Sequence, residues 1–109
     1  MRRPWFYILL SLAERDRHGL GIMRDVLELT EGEFRLWPVM LYGSLEELRE
    51  QGWIRALEAP PADADDASAR KKWFRITPNG RRALAAEVVR MGETVRVAQR
   101  RLAHSGTST

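Results

Sequence analysis

Pro38-Val39-Met40-Leu41-Tyr42-Gly43-Ser44-Leu45-Glu46-Glu47-Leu48-Arg49-Glu50-Gln51-Gly52-Trp53-Ile54 is the stretch that decides the fold. Proline suits a first helical position, where its missing N–H costs no hydrogen bond. Leu41, Leu45 and Leu48 follow at spacings of 4 and 3, the stripe of a helix with one buried face. Gly52 ends it. With that stripe turned inward, Val39, Met40, Gly43, Ser44 and Glu47 are expected to point outward. Residues 53–58 alternate in polarity and predict a strand.

Two more helices are expected upstream. One runs over residues 4–14, apolar on nearly every side as far as Leu12, so it is central in a core or shared between subunits. Arg17-His18-Gly19 makes a turn, and a second helix covers Leu20–Leu29, with Ile22, Val26 and Leu29 as its stripe. Thr30-Glu31-Gly32 stops it, Gly32 being able to take a left-handed cap conformation. Downstream, Ala59–Ala69 has no bulky apolar side chain and three aspartates, and predicts a mobile loop. Residues 72–76 are the second strand of a hairpin. Thr77 and Pro78 open a long helix, Thr77 as its cap. In that helix Leu84, Val88, Met91, Val95, Ala98 and Leu102 step by 4, 3, 4, 3 and 4, a heptad seam. It overhangs a body built of such short elements, so its far end is expected to meet a partner. The divisions expected are residues 1–77 (with a loop at 59–70), a helix at 78–103, and a frayed tail at 104–109.

The chain has 109 residues, enough for one domain. It contains no cysteine, so neither a disulfide framework nor a thiolate metal site is possible. No apolar run approaches the ~20 residues of a membrane helix. Arg2-Arg3 before an apolar run of 9 residues looks slightly like a signal peptide, but Glu14-Arg15-Asp16-Arg17 follows at once. A cytoplasmic location is expected. Net charge is +3 and unevenly spread: −5 over residues 1–69 and +8 over residues 70–109. Such a split points to an anionic partner for the basic half, or to subunits oriented by charge.

Catalytic signals are missing. His18 and His104 stand at element ends without paired ligand spacing. Neither a zincin helix nor a nucleophile elbow is present, and Gly19-Leu20-Gly21 lacks the strand that a nucleotide loop needs before it. Asp63, Asp65 and Asp66 read as a solvated loop. No enzyme, cofactor or metal site is expected.

Three helices, a two-stranded hairpin and a long helix describe a mainly α protein: a winged helix-turn-helix with a two-stranded β wing and a long C-terminal helix. In that design the helix from Pro38 lies in the DNA major groove. Val39 and Met40 are then placed to touch thymine methyl groups. Ser44 can bond to a base or phosphate, Tyr42 can offer its hydroxyl to a phosphate, and Gly43 lies on the same face. Arg70, Lys71 and Lys72 begin the wing's second strand, where they can meet the DNA backbone. Glu46, Glu47 and Glu50 oppose this reading, since carboxylates repel phosphate. A winged helix that docks a protein, and not DNA, is the alternative.

The sequence resembles the PadR family of bacterial transcriptional regulators, in its short form. The resemblance rests on Ile8–Leu12, His18–Ile22, Leu41–Leu48, Gly52–Ile54 and Trp73–Leu84. It implies a homodimer on a palindromic operator, a repressor of a nearby promoter, released by a small aromatic or drug-like effector. It implies DNA contacts on the helix from Pro38, Tyr42 included, and on the wing. It implies a dimer interface made by the first and last helices: Phe6, Leu9 and Leu10 with Leu84, Val88, Met91, Val95, Ala98 and Leu102. Met40 stands where the family usually has a small polar residue, and Glu46-Glu47 where it often has a basic pair. Residues 78–103 hold no aromatic side chain to stack on an effector.

Overall fold

A computed structural model describes residues 1–107, with side chains as far as His104. Helix α1 (Arg3–Glu14) contains Pro4 in its first turn and buries Ile8, Leu9 and Leu12. Strand β1 (Arg17–His18) leads into helix α2 (Gly19–Leu29), which buries Ile22 and Val26. Helix α3 (Pro38–Glu50) adds Leu41, Leu45 and Leu48, and crosses against both earlier helices. Strand β2 (Ile54–Ala56), a single helical turn α4 (Asp66–Ala69), strand β3 (Trp73–Ile76) and helix α5 (Pro78–Thr107) complete the order. Phe74 and Ile76 of β3, Ile54 of β2, Leu36 and Leu84 close the core.

Both helix ends near α3 use left-handed residues. After α3, the Gly52 amide donates to the Arg49 carbonyl and the Trp53 amide to the Leu48 carbonyl, with Gly52 at φ +74°. After α2, the matching position is filled by Glu31 at φ +51°, and Gly32 at +83° comes next. The Glu31 amide donates to Glu28 and the Gly32 amide to Leu27. The left-handed cap expected at Gly32 therefore begins one residue earlier, on a side chain that bears a Cβ.

Three further expectations need correction. The sheet has three strands, in the order β1-β3-β2 and antiparallel throughout. Arg17 and His18 pair with Phe74 and Trp73, so the turn between the first helices is an edge strand. The loop after β2 is not bare, since Asp65 caps α4 by accepting from the Ser68 amide (2.7 Å). The expected tail is also part of α5 as far as Thr107, while residues 108 and 109 lie outside the described residues.

The long helix starts as its sequence dictates. The Thr77 hydroxyl accepts from the Gly80 amide (3.0 Å) and donates to the Gly52 carbonyl (2.6 Å), so the cap also ties α5 to the end of α3. Gly80 is buried against the Trp53 carbonyl, and a Cβ there would overlap that oxygen. Among the described residues, no helix is long and apolar enough to cross a membrane.

Candidate nucleic-acid interface

The outward face of α3 begins with no side-chain cap. Its N-cap residue is Trp37, whose ring does not bond the helix amides. Val39 is 89% exposed, and Met40 and Tyr42 also face solvent. Gly43 is exposed, with open space where a Cβ would stand, so backbone is bare at the middle of this face. Ser44 departs from the expectation. It is only 6% exposed, because it falls three residues after Leu41 and four before Leu48, on the inner stripe.

The acidic residues of α3 are less free than their sequence suggests. Glu47 turns back onto α1, where its carboxylate accepts from the Arg2 guanidinium (2.6 Å) and the Trp5 indole N–H (3.3 Å). Trp5 itself is held edge-on against Trp53. Glu46 pairs with Arg49 at 3.1 Å. Two of the three carboxylates that oppose phosphate binding therefore have cations beside them. Sequence spacing could not reveal Arg2 as a partner, since it lies 45 residues away.

Tyr42 reaches across to α2. A Cβ on Gly19 would come within 2.8 Å of its hydroxyl, so glycine at the start of α2 makes room for the ring. The adjacent residue, His18, caps α2: its Nδ1 accepts from the Gly21 amide at 3.0 Å. The imidazole also packs edge-on against Trp73 of β3, with centroids 4.9 Å apart. Burial lowers the His18 pKa, the positive charges of Lys71 and Arg24 lower it further, and Asp65 acts in the opposite sense. These contacts link the exposed start of α3 to the basic edge of the wing through the first turn of α2.

The wing is anchored from both sides. The Trp73 indole N–H donates to the Ser68 carbonyl (2.9 Å), holding the loop turn against β3. Arg75 grips Asp16 with two hydrogen bonds of 3.0 and 2.7 Å, which raises the arginine pKa. Arg70, Lys71 and Lys72 are all exposed. They precede β3, which starts at Trp73, so they belong to the loop end rather than to the strand. Among the described residues, no cluster of three or more His, Cys, Asp or Glu side chains is placed to hold a metal ion.

One feature was invisible to the periodicity of the sequence. Trp37 is 60% exposed, and the Arg35 guanidinium lies over its ring, 5.1 Å from the centroid. The segment between α2 and α3 has no repeat to read. Its only signal was a tryptophan directly before a proline-started helix.

The seam of α5 divides. Leu84 is buried in the chain's own core, and Leu9 of α1 is fully buried there too, so neither has surface to give a partner. Phe6 and Leu10 are half-buried. Val88, Met91, Val95 and Leu102 stand exposed, with Ala98 among them and Val89 beside them.

Comparison with known proteins agrees with this architecture. The model of the transcriptional regulator PadR-like family matches residues 8–86. A PadR family transcription regulator from Clostridium difficile superposes with a TM-score of 0.78 at 20% identity, over 93% of this chain and 99% of that one. A transcriptional regulator from Clostridium thermocellum gives 0.73 at 22% identity, over 89% and 87%. Bacillus subtilis PadR, solved in complex with operator DNA, gives 0.66 at 19% identity, over 81% of this chain and 48% of that one. No curated protein matches the sequence. With the family model covering most of the chain and the winged-helix architecture in place, this protein belongs to the PadR-like family of transcriptional regulators.

Proposed function

We propose that the protein is a sequence-specific DNA-binding regulator that acts as a homodimer on a palindromic operator, as a repressor released by a small-molecule effector. The observation that carries this reading is the continuity between the exposed start of α3 and the basic edge of the wing. Tyr42 lies over Gly19, and His18 lies against Trp73, with Lys71 near enough to depress its pKa. In this reading Val39, Met40, Tyr42 and Gly43 face base edges and nearby phosphates, and Arg70, Lys71 and Lys72 meet the backbone. Backbone contacts supply most of the affinity and base contacts the choice of site.

The exposed part of the α5 seam, with Phe6 and Leu10, supports the homodimer. Pairing the seam brings two α3 helices to a fixed separation, which for successive major grooves is about 34–36 Å. An effector lodged between subunits would loosen operator binding by as much as its affinities for the two arrangements differ. The protein-docking alternative rests on Glu46, Glu47, Glu50 and the acidic wing tip, and two of these, Glu46 and Glu47, have cationic partners within this chain.

Fluorescence anisotropy with tiled duplex fragments from upstream of the protein's own gene, at two salt concentrations, tests this. The expected result is one fragment bound far above a scrambled control, with affinity falling as salt rises. Absence of binding to any fragment, even at low salt, would remove the DNA-binding reading.

A further inference from the structure

Four tryptophans occur in this chain, and three are committed to the fold. Trp5 donates to Glu47 and packs on Trp53. Trp73 donates to Ser68 and packs on His18. Trp37 differs: it is 60% exposed, and among the described residues its ring stacks on no other aromatic ring, has the guanidinium of Arg35 over it, and its indole N–H donates to no protein acceptor. A large apolar ring stands mostly in water at the head of the groove-facing helix and makes no capping bond to it. Serine, threonine or aspartate would cap it better.

The surroundings indicate what covers the ring. Val39, the most exposed of the large apolar side chains, follows two residues later. The amides of the first turn of α3 have no side-chain cap, leaving the positive end of the helix open to an anion. Among the described residues Arg35 has no carboxylate partner, and its guanidinium lies over the indole, 5.1 Å from the ring centroid. The patch therefore offers an apolar plane flanked by two groups that attract anions. Duplex DNA presents the complementary pair at one base step, a thymine methyl in the major groove and the phosphate beside it.

Resting on the DNA-binding reading above, we infer that Trp37 is a specificity-determining residue that packs, with Val39, on a thymine methyl of the operator half-site, while Arg35 takes the adjacent phosphate. The guanidinium sits over the ring, within cation–π range, so the ring helps to place the arginine beside the methyl contact. Loss of the ring removes most of the methyl contact and frees the arginine.

The test uses the full chain and its preferred upstream fragment, with each thymine of the half-site replaced in turn by deoxyuridine, which lacks only the methyl group. At one position the wild-type protein should lose about fourfold in affinity, the worth of one buried methyl. Trp37→Ala should bind more weakly and lose most of the deoxyuridine penalty at that position, Val39 keeping the remainder, whereas Trp37→Phe should recover part of it. Arg35→Gln should reduce the salt slope by about one phosphate's worth and leave the deoxyuridine penalty in place. Wild-type binding that prefers one fragment but ignores every deoxyuridine substitution overturns the role of Trp37 and leaves the DNA-binding reading standing. A full penalty retained by Trp37→Ala overturns it equally. Absence of any preferred fragment overturns both.

Discussion

The two ends of α5 are one helix in two environments. At its start, Thr77 bridges to Gly52, Gly80 presses its backbone against the Trp53 carbonyl, and Leu84 is buried beside α1. From Val88 onward, valine, methionine and leucine side chains stand in water, Leu102 being 72% exposed. The whole molecule measures 60 × 28 × 25 Å, so the helix extends well past the winged-helix body. Most helical stability in proteins comes from packing of an apolar face and not from intrinsic propensity. The near end draws its order from the body. The far end carries an apolar face that its own chain does not cover, and the second subunit proposed above would supply the cover. Gly92 fits that division: the nearest atom to its absent Cβ, beyond its own local backbone, is a flexible arginine tip 3.7 Å away. The chain's own packing does not require glycine there.

The strongest way to break this contrast is Val88→Asp with Val95→Asp. Two carboxylates placed in an apolar seam should weaken the dimer by roughly a thousandfold or more, since uncompensated buried charges cost several kcal/mol. Sedimentation should then report a single 12.6 kDa chain. The body should keep its tryptophan packing, visible in near-UV circular dichroism. A sedimentation coefficient unchanged from wild type would place the interface elsewhere.

At the junction of the two regions, Gly80→Ala should cost about 2–3 kcal/mol, because the new methyl meets backbone that cannot rotate away. Urea denaturation measures this. Since the damage lies within one chain, the loss should not depend on protein concentration, whereas the loss from the seam variant should. A Gly80→Ala protein as stable as wild type would mean that α5 can shift off the wing without penalty.

Much of the body was readable because it repeats. The Leu41, Leu45 and Leu48 stripe, the Gly52 stop and the Thr77-Pro78-Asn79-Gly80 start are local signals, and each sits where local physics puts it. Features that depend on distant chain were not readable. Strand β1 is two residues long and exists because β3 offers it an edge. Glu47 looked like an outward charge until Arg2 and Trp5 came round to meet it. Ser44 shows a different failure. A heptad-like stripe is wider than its leucines, and a small polar residue inside that width is buried with them. The seam spacing in α5 was correct, yet spacing alone could not divide Leu84, which packs within the chain, from Val88, which does not.

Within the body alone, His18 provides a smaller effect with a definite pH sense. Its Nδ1 must be unprotonated to accept from Gly21, and burial, then Lys71, then Arg24 all lower its pKa below the ordinary 6.5, against the opposing pull of Asp65. The folded state therefore binds this proton less readily than the unfolded chain. Stability from this group is complete above pH 6.5 and declines as pH falls below it towards the depressed folded value. His18→Asn keeps a good capping oxygen and should flatten that part of the stability curve, while His18→Ala should cost about 1 kcal/mol even at neutral pH. Identical pH slopes for wild type and the asparagine variant would exclude His18 as the titrating group.

The smallest effect sharpens the comparison by asking whether the body itself holds avoidable strain. The turns after α2 and α3 make the same two closing hydrogen bonds, yet one places Gly52 in the left-handed region and the other places Glu31 there. A Cβ in that region crowds the following carbonyl, at a cost of roughly 1–2 kcal/mol. The turn persists because Thr30 fastens it, its hydroxyl accepting from the Phe34 amide (3.0 Å) and lying 2.9 Å from the Val26 carbonyl. Glu31→Gly should relieve the crowding but widen the unfolded ensemble, two effects of opposite sign. The net gain should be about 0.5 kcal/mol, read as a small rise in denaturation midpoint at unchanged slope. Because no hydrogen bond or ion pair joins Glu31 to α5 among the described residues, the same gain should appear in the wild-type background and in the Val88→Asp, Val95→Asp background. A gain present in only one of them would show that the body and the overhanging helix are coupled more tightly than their packing implies.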